Sequence, residues 1–264
     1  MTKIPKNQTM TNKPYLLAQT NWKTVKGQQY RVAVLPWGAT EAHNYHLPYG
    51  MDIIQSDYIA AEAARIAWEQ GSKTIVLPCV PFGVNTGQLD IPFTINLNPS
   101  THHAILEDIA ESLVTQGMDK LLIVNGHGGN DFKQIIRELQ PQFPELFICT
   151  LDWWKIFDNA DFFDEPGDHG GEMETSNLLF IDPDLMLPLD QAGDGKVKKF
   201  RLRGIQEGWV WAPREWTKIS EDTGVGNPKQ ATAEKGKRFL HDVTQKIASF
   251  MIELAQADLD DLYE

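Results

Sequence analysis

The sequence predicts an α/β fold in which a mainly parallel sheet is covered by helices on both faces. Two observations carry this. Through the first half, short apolar runs of strand length alternate with stretches of helical period in the order βαβαβαβ, joined by connections long enough for parallel crossovers. The strand runs are apolar along their whole length, as expected when both faces of a sheet are buried.

Taken in order, residues 31–37 (RVAVLPW) form the first strand, which ends at Pro36 and Gly38. Ser56 is a good N-cap, and Ile59, Ala60, Ala63, Ile66 and Ala67 then recur at helical spacing until Gly71 ends the pattern. Residues 74–77 (TIVL) read as a strand closed by Pro78. Residues 100–116 place Ile105, Leu106, Ile109, Leu113 and Val114 on one helical face before Gly117. Residues 120–124 (KLLIV) are a buried strand, 131–140 a helix and 146–151 (LFICTL) a fourth strand. A short helix begins near Glu174 to Ser176, and a long late one carries Leu240, Val243, Ile247, Met251 and Leu254 three or four apart. Between them, residues 182–227 are rich in Gly, Pro and Trp and show no period. The acidic tail 258–264 is expected to fray or to contact another subunit.

Composition narrows the function classes. At about 150 residues per domain, a chain of 264 residues is one or two domains. No linker or internal repeat interrupts it, so a single domain over 1–264 is expected. With 24 Lys plus Arg against 36 Asp plus Glu the net charge is −12, which sets nucleic acid and anionic lipid aside as partners. No apolar run approaches the roughly 18 residues of a membrane span, and residues 1–13 are polar with no apolar core, so a cytoplasmic location is expected. Cys79 and Cys149 sit in apolar segments without a CxxC pattern and read as small buried hydrophobes.

In an open parallel sheet, ligands bind beyond the carboxyl ends of the strands. Those positions are unusually polar here. The first strand is followed by Glu41, His43, Asn44, His46 and Asp52, the third by Asn125-Gly126-His127-Gly128-Gly129-Asn130, and the fourth, after a loop, by Asp168-His169-Gly170-Gly171-Glu172-Met173-Glu174. Imidazole and carboxylate ligands without thiolate suit Zn²⁺, Mn²⁺ or Fe²⁺, and a site with several carboxylates can hold two ions. The residues 126–129 do not extend to a GxGxxG fingerprint, because position 131 is Asp131. There is no GxSxG elbow, and neither Gly195-Lys196 nor Gly236-Lys237 is followed by Ser or Thr, so no Walker A sequence is present.

The ordered set Glu41-x-His43-x-x-His46-Leu47-Pro48 with Asp52, then the residues 125–130, then His169-x-Gly171-x-x-Glu174-Thr175-Ser176 resembles the creatininase (creatinine amidohydrolase) family. Gly224 to Pro228 and Ala231 to Gly236 resemble its late segment, so the likeness runs from about Val32 to Gly236. It implies a three-layer α/β/α sandwich with a mainly parallel sheet, a metal-dependent amidohydrolase and a homo-oligomer, a hexamer in creatinine-hydrolysing members. The resemblance makes Glu41 and His127 ligands of one divalent ion, His43 a ligand of the other, Asp52 a bridge between them and His169 the catalytic histidine. In creatininase itself a Glu two residues after the His matching His127 completes the second ion's shell; here that position is Gly129, which leaves the reaction class in place but counts against creatinine as the substrate. Glu172 is the replacement ligand we expect, with Glu174 as the alternative. Asn44 stands where the family has Gly; both residues tolerate a left-handed backbone.

The expected chemistry is hydrolysis of a C–N bond in a small, cyclic amide by metal-activated water, with His169 protonating the leaving nitrogen. Asp168 would orient His169 or a substrate amine, and Asn130 would bind substrate or cap the next helix. His46 is expected to brace the loop and His102 and His103 to have no chemical role. Trp153 and Trp154 would pack under the rim, while Trp209, Trp211 and Trp216 would form a lid or a subunit interface. Two alternatives remain: deformylation of a pterin- or flavin-precursor formamide, for which the motifs supply no Lys or Arg to hold a phosphate, and a non-catalytic metal-binding subunit.

Overall fold

A computed structural model describes residues 13–264; the polar stretch 1–12 lies outside the described residues. The strands are β1 (Val32–Trp37), β2 (Thr74–Val76), β3 (Lys120–Asn125) and β4 (Phe147–Asp152). All pair in parallel in the order β2-β1-β3-β4, with Val34 opposite Val76, Trp37 opposite Asn125, and Asn125 opposite Asp152. A parallel ladder points every carboxyl end to the same edge, so the polar segments after β1, β3 and β4 meet there.

Among the described residues eight α-helices accompany the strands: α1 (Trp22–Val25), α2 (Met51–Glu69), α3 (Pro99–Thr115), α4 (Phe132–Leu139), α5 (Glu172–Ile181), α6 (Arg203–Gln206), α7 (Trp216–Ile219) and α8 (Ala233–Gln256). Successive strand residues point to opposite faces and build two cores. On one face Val32, Val34, Leu122 and Val124 pack against Ile59 and Ala63 of α2 and Phe239, Val243 and Met251 of α8. On the other, Ala33, Leu35, Leu121 and Ile123 pack against Leu106 and Ala110 of α3 and Ile135 and Leu139 of α4. The three-layer α/β/α sandwich with a mainly parallel sheet is therefore observed. Helix α5 lies against α8. Gly236 permits the approach: a Cβ there would stand 2.0 Å from the Ser176 carbonyl oxygen.

Most predicted boundaries hold within a residue or two, with differences that matter for the site. Helix α2 begins at Met51, not at Ser56, behind Gly50, which offers no side-chain cap. Asp52, Gln55 and Ser56 are buried in its first turns, so the polar residues that look like a helix entry are interior side chains facing the strand ends. Helix α5 starts two residues before the predicted Glu174. In residues 182–227 the only α-helices are the four-residue α6 and α7. Both thiols are free and half-buried, and burial pushes their pKa up, that of Cys149 to about 12. No helix among the described residues is long and apolar enough to cross a membrane.

Candidate metal centre and active site

Glu41, His43, Asp52, His127, His169 and Glu174 converge at the carboxyl edge of the sheet, each less than one-tenth exposed. Their ligand atoms form three overlapping groups: Glu41, Asp52 and His127; His43, Asp52 and Glu174; and Glu41, His43 and His169. Within each group the ligand atoms lie within 4.8 Å of one another. Asp52 is common to the first two.

Each histidine is oriented by a backbone carbonyl, which can only accept, so the ring nitrogen beside it carries the hydrogen. His43 Nδ1 donates to Glu41 O at 3.1 Å, His127 Nε2 to Val84 O at 3.0 Å and His169 Nε2 to Ala42 O at 2.8 Å. The opposite nitrogens then face the carboxylates. His127 Nδ1 is 2.8 Å from Glu41 Oε1 and 3.1 Å from Asp52 Oδ2. His43 Nε2 is 3.1 Å from Asp52 Oδ1 and 3.7 Å from Glu174 Oε1, and His169 Nδ1 is 3.9 Å from Glu41 Oε1.

No Lys or Arg ion-pairs with Glu41, Asp52 or Glu174 among the described residues. Burial opposes ionisation of Glu41 and Asp52, yet the neighbouring imidazoles hold both carboxyls below their ordinary range. Burial likewise opposes charge on His43 and His127, but the carboxylates win, raising His43 to about 10 and His127 well above its ordinary value. The protein alone can thus balance this charge only by protonating its potential ligands. A divalent cation does so directly, and the all-N/O donor set with fixed tautomers fits one.

The structure separates the two acids of α5. Glu172 turns away from the cluster: its Oε2 accepts the N–H groups of Asp164 and Glu165 at 2.9 and 2.7 Å, and its Oε1 accepts from Lys235 Nζ. Glu174 occupies the position expected of Glu172. Its Oε1 accepts from Gln55 Nε2 at 3.4 Å and its Oε2 from the Gly170 N–H. Gly129 cannot supply a ligand in this geometry, since a Cβ there would lie 2.2 Å from Val84 O and 2.5 Å from His127 Nε2.

Of the other expected roles, those of Asn130 and Asp168 change, while those of His46, Asn44 and Trp153 hold. Asn130 is committed to structure: its Oδ1 accepts from Val84 N–H and its Nδ2 donates to Asn125 Oδ1, both at 3.1 Å, while Asp131 caps α4. Asp168 does not orient His169; it forms a two-pronged ion pair with Arg214 and is half exposed. His46 Nε2 meets Thr175 Oγ1 at 2.9 Å, bracing the loop. Asn44 has φ 54°, the left-handed backbone expected of a position shared with Gly. Trp153 is buried in the core beneath the rim.

Two partners were not anticipated. Gln88, fully buried, donates to Glu41 Oε2 and leaves Oε1 for the histidines. The Trp216 ring centre lies 4.5 Å from that of His169 in a tilted contact, and the His169 ring also stacks on His43 at 4.1 Å. Gln88 sits in a short 3₁₀ turn and Trp216 opens the four-residue α7, elements too short to show a period in the sequence. Val225 also fixes His169 through a two-way backbone bridge, its N–H donating to His169 O at 2.6 Å and its carbonyl accepting from His169 N–H at 3.3 Å. A cleft of about 1150 Å³ opens over the cluster, walled by Trp154, Val210, Trp211 and Trp216.

Residues 18–251 match the family model for creatininase, creatinine amidohydrolase. A Bacteroides fragilis NCTC 9343 protein described as a candidate creatinine amidohydrolase is 45% identical, with a TM-score of 0.91 over 96% of this chain and 100% of that one. Creatinine amidohydrolase of Pseudomonas putida is 24% identical over 92% of this chain and 98% of its own length. A mycofactocin precursor peptide peptidase of Mycobacterium ulcerans is 27% identical over 82% of each chain. A 2-amino-5-formylamino-6-ribosylaminopyrimidin-4(3H)-one 5'-monophosphate deformylase of Methanothermobacter marburgensis is 24% identical over 88% of this chain and 94% of its own. Creatininase structures in manganese and zinc–zinc forms share the fold, with TM-scores of 0.75 and 0.74. With the sandwich and its buried imidazole–carboxylate cluster in place, the chain belongs to the creatininase family of metal-dependent amidohydrolases.

Proposed function

We propose that this chain hydrolyses a C–N bond in a small amide, with one divalent ion held by Glu41, Asp52 and His127 and a second by His43, Asp52 and Glu174. The observation that carries the reading is the set of three histidines, each locked by a backbone carbonyl with its free nitrogen turned to the carboxylates. A divalent ion bound there polarises an amide carbonyl and activates water. The chain's own part is positional. Gln88 and Gln55 steady Glu41 and Glu174, and His169 stands at the cleft between His43 and Trp216. Because its Nε2 is held by Ala42 O, Nδ1 is the atom from which His169 passes a proton to the leaving nitrogen.

A second reading, deformylation of a formamide on a phosphorylated precursor, gains from the structure. Lys155, Lys198, Lys199 and Arg214 line the cleft although the sequence motifs contain no such cation. Self-assembly is part of the proposal: exposed Leu89, Phe93 and Ile95 form an apolar stretch suited to contact between copies.

The test measures metal per chain and then hydrolysis of creatinine, hydantoins, lactams and formamides. Metal content should fall in Glu41→Ala and Asp52→Ala, and turnover should drop by roughly 10² to 10⁴ in His169→Ala with metal retained. Full metal content in both carboxylate variants refutes the site. Turnover undiminished in His169→Ala refutes its proton role, and a non-catalytic subunit would cleave none of these amides.

A further inference from the structure

We propose that the outer cleft contains an anion subsite, formed by Lys198 and Lys199, for a carboxylate or phosphate group at the end of the substrate remote from the scissile amide. This rests on the hydrolase reading above and extends it to substrate class. Ligand pockets commonly enclose about 300 to 1,000 Å³. The cleft here measures about 1150 Å³, so a ring the size of creatinine fills only its floor. The remaining volume calls for a larger substrate.

Charge gives that larger part its chemistry. The chain carries −12 overall, yet apart from the metal cluster the charged groups lining the cleft are Lys155, Lys198, Lys199 and Arg214 against Asp168 and Glu207. Most are already paired: Arg214 with Asp168, Lys155 with Asp152 and Glu207 with Arg203. Among the described residues no carboxylate lies within ion-pair distance of Lys198 or Lys199, whereas neighbouring Lys196 pairs with Asp194. The backbone that carries Lys198 is held in place. Lys198 N–H donates to Ile219 O at 2.8 Å, at the end of the helix whose Trp216 packs on His169. Apolar walls from Trp154, Val210 and Trp211 concentrate the field of the lysines within the cleft.

The test titrates benzoate, phenyl phosphate and the neutral isostere benzamide into the full metal-loaded chain by calorimetry. At least one anion should bind roughly tenfold more tightly than benzamide at low ionic strength, with the preference shrinking in high salt. Benzoate against phenyl phosphate separates the two acid classes. Lys198→Ala combined with Lys199→Ala should erase the preference while retaining metal content and benzamide affinity, and Lys196→Ala should leave it intact. Three results overturn the proposal: equal binding of acid and amide, no anion binding up to roughly 10 mM, or a preference that survives in the double variant, which would place the anion on the bound ion. The titration needs no turnover, so failure of the hydrolase reading would appear separately, as metal-loaded protein that cleaves no amide.

Discussion

Glu172 and Glu174 stand two residues apart in the first turn of α5, and their replacement by Gln should produce opposite phenotypes. The Glu172 side chain is fully buried, and its negative charge serves two loop N–H groups and Lys235. Breaking a buried ion pair costs about 3 to 5 kcal/mol. Lys235 is 23% exposed, so solvent recovers part of that and about 2 kcal/mol remains. At about 2 to 4 °C per kcal/mol for a chain of this size, Glu172→Gln should lower the melting temperature by roughly 4 to 8 °C with metal content unchanged. Glu174→Gln removes a ligand oxygen facing His43 and Asp52. Affinity for the second ion should fall by roughly 100-fold or more, given that loss of a mere supporting contact costs 10 to 100-fold. With excess chelator present, its melting temperature should lie within about 2 °C of the parent chain. Calorimetric melting and elemental metal analysis on both variants decide the matter. Metal loss in Glu172→Gln with native melting, or undiminished metal affinity in Glu174→Gln, would refute the division of roles.

Two further outcomes follow from groups outside the cluster. Burial pulls the pKa of His46 and of His102 down to about 4, against about 6.5 in an unfolded chain. Between those values the unfolded chain binds more protons, so stability is full above pH 6.5, falls as pH drops towards 4 and levels off below it. Urea unfolding in chelator should show this slope, at most about 3 kcal/mol per histidine, and His102→Leu should flatten it; an unchanged slope counts against the assignment. Gly236→Ala forces α8 away from the Ser176 carbonyl and should cost roughly 3 kcal/mol by overpacking backbone against backbone. A native denaturation midpoint in that variant would show that the helices separate freely.

The sheet was legible in the sequence because its strands are buried on both faces and therefore apolar without interruption. The start of α2 was not, for the reason that makes it functional. Asp52, Gln55 and Ser56 break the apolar period because their side of the helix faces the buried imidazole–carboxylate cluster, and Gly50 leaves no capping signal. The site motifs identified Glu41, His43, Asp52, His127 and His169 as a set that the fold brings together. They could not separate Glu172 from Glu174. Residues two apart on a helix point about 200° from each other, so only one can face the cluster, and which one depends on how α5 is rolled against α8. Gln88, Trp216 and the cleft lysines act through tertiary approach of irregular segments, where neither period nor motif exists to be read.

The separation between cluster and wall has a bearing on how this architecture diversifies. The cluster is suspended from β1, β3, α2 and α5, elements that also make the cores, whereas residues 197–216 contribute nothing to either face of the sheet. Substitutions in that wall can therefore alter what the cleft admits with little loss of folding stability, while changes at the strand ends disturb reactivity and packing together. One fold can thus serve different clienteles, as relatives as different as a creatinine amidohydrolase, a mycofactocin precursor peptide peptidase and a formylaminopyrimidine deformylase illustrate.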